Sequence, residues 1–328
     1  MLILLVLPLL IATPTRGKSK KEVAPSDSLL ALLTMQKKKY DAENEKAYLK
    51  QKYDTIAMFS TLRQMFITAA KLDSIEEKAV KVKTDGQRVK YRAHNAEMLD
   101  AYRRNLYVAG QFYMNRQDYR NARQYFEFYI DSASFPLFSA QNYATTDSLM
   151  AEASQRALVA AAELHDTESI IAHSHLALKA GEREQTLRLL YGAYRELRDE
   201  DNMRRILTYG LVEFPNSVFF RYAKSLQDLH DGNLDNVIAI SDTLIKEHPE
   251  QPEPYYAAGV ACLKKIDRLS TKQKKMRKEL YQQARIYLEK YRKLSPQQQQ
   301  RWAPLLYRTY YNLNLGTQFR EIEKLLTK

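Results

Sequence analysis

Along this chain apolar residues recur three and four positions apart far more often than they alternate, which is the period of a helix with one buried face and not of a strand. Leu187, Leu190, Tyr191 and Tyr194 make one such stripe, and Met203, Leu207 and Gly210 make the next. The polar turn Asp199-Glu200-Asp201 separates them, so together they predict a helical hairpin. The same grammar occurs in Leu106, Ala109, Gly110 and Tyr113, then Gln117-Asp118-Tyr119, then Ala122, Phe126 and Tyr129. Phe214-Pro215 and His248-Pro249 stand 34 residues apart, and Ser295-Pro296 lies 47 further on. Each proline follows a stripe of helical spacing, where its ring blocks continuation, so the three mark the ends of helix pairs.

A third well-formed copy is Tyr255, Ala258, Gly259 and Cys262, followed by Ala284, Leu288 and Tyr291. Its small residues Gly259 and Ala284 are 25 apart, against 12 from Gly110 to Ala122. The excess of 13 is also the excess in the spacing of the last two prolines, so both measures place a 13-residue insertion near 264–279 and predict two lengthened helices. Looser copies are Phe219, Tyr222, Ala223 and Leu226 before Asp231-Gly232-Asn233, shifted by two in its first helix, and the segment from Thr145 to Ala180. Trp302, Leu305 and Leu306, then Phe319, Ile322, Leu325 and Leu326, form a closing pair.

These residues resemble the tetratricopeptide repeat (TPR) family, in its exported bacterial form, whose pattern is W-x2-L-G-x2-Y, then A-x3-F, then P. The resemblance implies an all-α fold over 99–328, a right-handed superhelical solenoid of antiparallel helix pairs. Gly110 and Ala122 then let two helices approach, while Tyr113 and Phe126 fill the space between turns. Cys262 takes a packing position where the family usually has an aromatic, so it is expected to be a small buried hydrophobe and not a reactive thiol.

Residues 18–98 are helical with different bookkeeping. Leu29, Leu30, Leu33, Tyr40, Ala47 and Tyr48 predict one long charged helix, and Ile56, Phe59, Leu62, Met65, Phe66 and Ala69 the next, before a break at Asp85-Gly86. No strict heptad is sustained, which favours an atypical repeat or cap over a coiled-coil arm. Residues 1–17 open with MLILLVLPLLIA and pass into a polar, lysine-rich stretch, the outline of a cleavable export signal. No Lys or Arg precedes the apolar run and no Ala-x-Ala follows it, so cleavage would use a weaker pair such as Thr15 and Gly17; the competing expectation is a buried first helix. The run is too short for a transmembrane anchor, and no cysteine follows it to carry a lipid, so the expected location is periplasmic or secreted.

Composition narrows the chemistry. One cysteine in 328 residues excludes an internal disulfide framework and thiolate metal clusters. The nine glycines never gather into a phosphate-cradling loop, and no nucleophile-elbow or H-E-x-x-H pattern is present, so no enzyme activity and no cofactor are expected. His173 and His175 are two apart, and on a helix they point in different directions, which speaks against a shared metal. The net charge of +12 is unevenly placed: residues 1–130 carry 23 basic and 14 acidic groups, 131–250 carry 11 and 19, and 251–328 carry 17 and 6. Basic ends with interleaved tyrosines, as in Lys272, Lys274, Lys275 and Lys278 before Tyr281, are compatible with nucleic acid, but export and helix packing account for them better.

The expected function is therefore a non-catalytic scaffold that binds a protein or peptide, with a helical carrier of a small ligand or glycan as the alternative. In the TPR resemblance the first helix of each pair lines a groove. Taking the residue after each packing position gives its candidate stripe: Tyr107, Gln111 and Met114; Arg188 and Arg195; Tyr256, Val260 and Leu263. These mix aromatics with Arg, the side chains that anchor interfaces.

Overall fold

The computed structural model describes residues 25–82 and 89–327. The leader-like segment 1–17 and the break at Asp85-Gly86 fall outside the described residues. The protein is all-α: fifteen helices and one short 3-10 turn, with no strand among the described residues. Contact between helices divides the chain into two units, one formed by the residues up to Gln117 with Gln124–Asp147, the other by Asp118–Arg123 with Ser148 onward.

In the first unit, α1 (Pro25–Tyr48), α2 (Thr55–Val82), α3 (Arg92–Met114) and α4 (Tyr119–Ser132) precede the 3-10 turn Pro136–Phe138 and the single turn α5 (Tyr143–Thr146). Leu33 and Tyr40 of α1 and Phe59, Leu62, Met65, Phe66 and Ala69 of α2 are buried, so the apolar stripes of both helices face inward. Ile56 and Tyr48 at the tip of this hairpin are exposed, because the stripe there has run past its partner helix. Arg92 pairs with the buried Asp73 at 2.7 Å, fixing the start of α3 against α2. Arg103 is buried too, and is satisfied on every side. Its guanidinium donates to Asp147, to Ser132 Oγ at 3.1 Å and to the Tyr129 carbonyl at 3.0 Å, and it lies 4.0 Å over the rings of both Tyr129 and Tyr143. Removing one partner of such a pair strands a charge, so this network ties α3 to the end of the unit.

The second unit holds α6 (Leu149–Glu163), α7 (Thr167–Ala177), α8 (Arg183–Glu196), α9 (Glu200–Glu213), α10 (Val218–Asp231), α11 (Leu234–Glu247), α12 (Pro252–Arg268), α13 (Lys274–Leu294), α14 (Gln299–Asn312) and α15 (Gly316–Leu326). Consecutive helices pack on one another, and further contacts join α6 to α8 and α10 to α12. The helices α8, α9, α10 and α11 have 14 residues each, whereas α12 and α13 have 17 and 21, so segment 264–279 forms the end of one long helix, a short turn and the start of the next.

The backbone repeats itself at both kinds of junction. Phe214, His248 and Ser295, each just before a proline, cap α9, α11 and α13 with nearly the same angles, φ −130, −135 and −136° with ψ 65, 67 and 63°. Each N–H closes the last turn on the carbonyl four residues back, at 2.8 Å. An extended-side conformation is what a following proline demands. At four further junctions, those after α6, α8, α10 and α14, a left-handed residue ends the helix: His165, Arg198 and Asn314 with φ 54, 57 and 56°, and Gly232 with φ 83°. Only Gly takes that conformation without strain, and the others bear it because the turn frees the last helical carbonyls to find partners. The turn after the lengthened α12 departs from this rule: Leu269 there is extended, with φ −87°.

Close approach of helices depends on three glycines. A Cβ at Gly110 would stand 2.6 Å from the ring of Phe126, one at Gly210 2.4 Å from the ring of Phe220, and one at Gly259 2.7 Å from Leu288. Gly192, in the interior of α8, meets nothing within 4 Å. Gly110→Ala is therefore expected to lower stability by about 1–3 kcal/mol through overpacking. Gly192→Ala is expected to raise it by about 0.5–1 kcal/mol through the lost backbone freedom of the unfolded chain. Thermal melts of the two variants check both signs at once.

Candidate functional site

The first turns of α8, α10 and α12 begin beside one another in the second unit and enclose a half-open concavity of about 530 Å³. Glu184 and Arg188 of α8 form one wall, Phe219 and Tyr222 of α10 the middle, and Glu253 and Pro254 of α12 the other wall. The local sequence explains why these side chains are held. Ser217 caps α10 by accepting from the Phe220 N–H and donates its own hydroxyl to Glu184 at 2.6 Å, which fixes the start of α10 against α8. Pro254 and Pro252 sit in the first turn of α12, where a missing N–H leaves nothing unsatisfied.

Phe219 stacks edge-on against Tyr191 at 5.6 Å, and the Arg188 guanidinium rests 4.9 Å above its other side. Arg188 is exposed and makes no ion pair among the described residues. Next to Tyr222, outside the residues that line the concavity, lies a second stacked cation. Arg301 of α14 lies 4.0 Å over the ring of Tyr256 and 5.4 Å from that of Tyr291, and the two rings are 5.1 Å apart. Burial pushes the Tyr222 hydroxyl up to about 12, with the Glu253 carboxylate adding to the rise and Arg301 opposing it. Burial also raises Tyr291, against the pull of Arg301. The Tyr222 and Tyr291 phenols are consequently protonated at neutral pH.

The candidate stripe from sequence is only partly gathered here. Arg188 stands on the wall of the concavity, and Tyr256 lies beneath Arg301 beside it. Tyr107 and Leu263 are corrected: both are buried, 5% and 3% exposed, and do not face a groove. Tyr107 packs against the rings of Phe126 and Tyr129, and Leu263 lies in the core with Ile266 and Leu280. Helices cover these positions from two sides, so the residue after a packing position is itself a packing residue. Gln111, Met114 and Val260 are half-buried, with Gln111 donating to the Tyr107 hydroxyl at 3.0 Å. Arg195 is exposed on the last turn of α8 and is not among the walls of the concavity. Tyr107, Gln111 and Met114 belong to the first unit and the other five to the second.

Sequence reasoning missed Phe219, Tyr222, Glu253, Tyr291 and Arg301. For Tyr222 the signal was present: Arg188, Tyr222 and Tyr256 are spaced 34 apart, as are Phe219 and Glu253. Arg301 lies beyond the insertion, where that count no longer applies. Cys262 is fully buried and its thiol is pushed up to about 12 by burial, as a packing residue's should be. Lys272, Lys274, Lys275 and Lys278 are exposed around the start of α13. Among the described residues no group of three or more His, Cys, Asp or Glu could hold a metal, and no helix is long and apolar enough to cross a membrane. No protein-family model matches the chain, and no curated protein is similar to it in sequence.

The raised phenols make a pH prediction. Tyr125 of the first unit and Tyr222 of the second both ionise at about 12 when folded, against an ordinary 10.0, through burial first. The unfolded chain therefore loses these protons first. Their contribution to stability is full below the ordinary value and is lost as pH rises through the folded one. The melting temperature is expected to fall steadily from about pH 10 to about pH 12, with part of the 295 nm tyrosinate absorbance appearing only on unfolding. A single titration near the ordinary value, with no change in melting, would contradict this assignment of buried phenols.

Proposed function

We propose that this protein is a TPR-like interaction module: its helix pairs stack as a right-handed superhelical solenoid, and the concave side binds an extended segment of a partner polypeptide outside the cytoplasm. It performs no chemistry of its own in this reading. The observation that carries it is the concavity itself. Its walls come from the starts of successive first helices, and Arg188 and Tyr222, like Phe219 and Glu253, recur there at the 34-residue period of the chain. The repeated caps at Phe214, His248 and Ser295 and the left-handed turns at His165, Arg198, Gly232 and Asn314 support the stacking of like units.

The side chains suit a polypeptide. Two guanidiniums are propped on rings, Arg188 on Phe219 and Arg301 on Tyr256, which pre-sets them at low entropic cost. Glu184 and Glu253 line the concavity with Arg188, which disfavours the run of phosphates in a nucleic acid. A carrier of a small ligand calls for an enclosed chamber, and a half-open trough lined from three helices fits a chain passing through it better. The leader-like residues 1–17 are the ground for placing the protein outside the cytoplasm.

Site-specific photo-crosslinking in the native host tests the reading. A benzoyl-phenylalanine at Phe219 is expected to form a covalent adduct with another polypeptide, whereas one at Val212, exposed on α9, is not. The quadruple variant of Lys272, Lys274, Lys275 and Lys278 to Ala should leave the Phe219 adduct intact. Adducts from Val212 alone, or loss of the Phe219 adduct in the lysine variant, would move the binding surface elsewhere.

A further inference from the structure

We propose that Arg301, with the hydroxyls of Tyr222, Tyr256 and Tyr291, forms a subsite for an oxyanion, a carboxylate or phosphate carried by the bound peptide. This rests on the groove reading above and adds to it the chemistry of one contact. Three observations lead to it. First, Arg301 is half-buried and makes no ion pair among the described residues. Its flat face is taken up by the Tyr256 ring at 4.0 Å, which leaves the N–H edge of the guanidinium to meet an acceptor. A partly desolvated cation without a counter-ion is an incomplete arrangement, and a ligand anion completes it.

Second, Tyr291 is fully buried and its hydroxyl has no hydrogen-bond partner. Such a group bears a desolvation cost that phenylalanine would not incur at the same position. The hydroxyl is close enough to Arg301, Tyr256 and Glu253 for each to bear on its ionisation. Third, Tyr222, a wall of the concavity, reaches the same guanidinium from the side of α10. Four polar side chains from α10, α12, α13 and α14 thus converge.

Glu253, on α12, is the one carboxylate that bears on both Tyr222 and Tyr291, and it sets the sign of the test. If the ligand group is an anion, Glu253 repels it; if it is a cation, Glu253 attracts it and Arg301 repels it. The probes are short acetylated Gly/Ser peptides offered to the full chain. One carries a central phosphoserine and an amidated end, one a central glutamate and an amidated end, one a free C-terminal carboxylate, and one is neutral throughout. Binding is followed by calorimetry.

At least one anionic peptide is expected to bind more tightly than the neutral one, and the one that does identifies the source of the oxyanion. That preference should fall by about tenfold in Arg301→Met and by about threefold in Tyr291→Phe, and rise by about threefold in Glu253→Gln. Arg301→Lys, which keeps the charge and loses the fork, should lie between wild type and Arg301→Met. Because Glu253→Gln predicts a gain, loss of folding cannot imitate the expected pattern. Equal binding of all four peptides, no binding by any of them, or tighter binding in Arg301→Met with weaker binding in Glu253→Gln would overturn the subsite. If the Phe219 adduct persists under any of those outcomes, the subsite falls and the groove stands; if the adduct is absent as well, the groove falls with it.

Discussion

Where Gly259 of α12 meets Leu288 of α13, a methyl group would stand 2.7 Å from the leucine, so the distance between these two helices is set by a side chain that is not there. The same holds for Gly110 against Phe126 in the first unit and Gly210 against Phe220 in the second. Much else follows from this spacing. Tyr256 lies one turn before Gly259, and Tyr291 one turn after Leu288, so the crossing that brings the two helices together also brings those rings to 5.1 Å. Arg301 can then lie over one ring and near the other. Protein interiors resist added volume, so a change at the crossing propagates to the wall of the concavity.

The turns act in concert with the crossings. Asp166 and Asp199 cap α7 and α9 by accepting the N–H three residues on, at 3.0 and 3.1 Å, and a left-handed residue precedes each cap by one position. Chain reversal within three or four residues brings neighbouring helices into register before any long-range contact is made. After α12 the reversal is built differently: the helix runs on to Arg268 and the chain comes back over the stretch up to Lys274. Arg277 holds that longer reversal, donating to the Ile266 and Leu269 carbonyls at 2.9 and 3.1 Å.

Much of this was legible in the residues alone. Gly110 and Gly259 stood out as small residues inside apolar stripes, and the structure places both at close helix approaches. The three prolines mark helix ends because a proline ring clashes with the preceding turn and lacks an N–H, and all three do follow a helix cap, although Pro304 shows that α14 bears one inside it. What could not be read was which side of a stripe lies open. Tyr107 and Leu263 follow packing positions as Tyr256 does, yet they are buried where Tyr256 is half-exposed, since one-dimensional spacing does not say how far the side chains of the next helix, Phe126 and Tyr129 against Tyr107 and Leu280 near Leu263, reach around a face. Arg301 was hidden for another reason. It faces Tyr256 and Tyr291 across the boundary of two helix pairs, and the insertion before it breaks the count that finds Tyr222.

The most direct measurement of the central constraint is a double-mutant cycle across the α12–α13 crossing. Gly259→Ala and Leu288→Ala should each destabilise the protein in denaturant titrations, the first by overpacking and the second by leaving a cavity. Together they should cost less than their sum by about 1 kcal/mol or more, because the shortened leucine vacates the space that the new methyl group needs. Strict additivity would mean that the two residues do not meet, and that something other than this contact sets the spacing of Tyr256 and Tyr291.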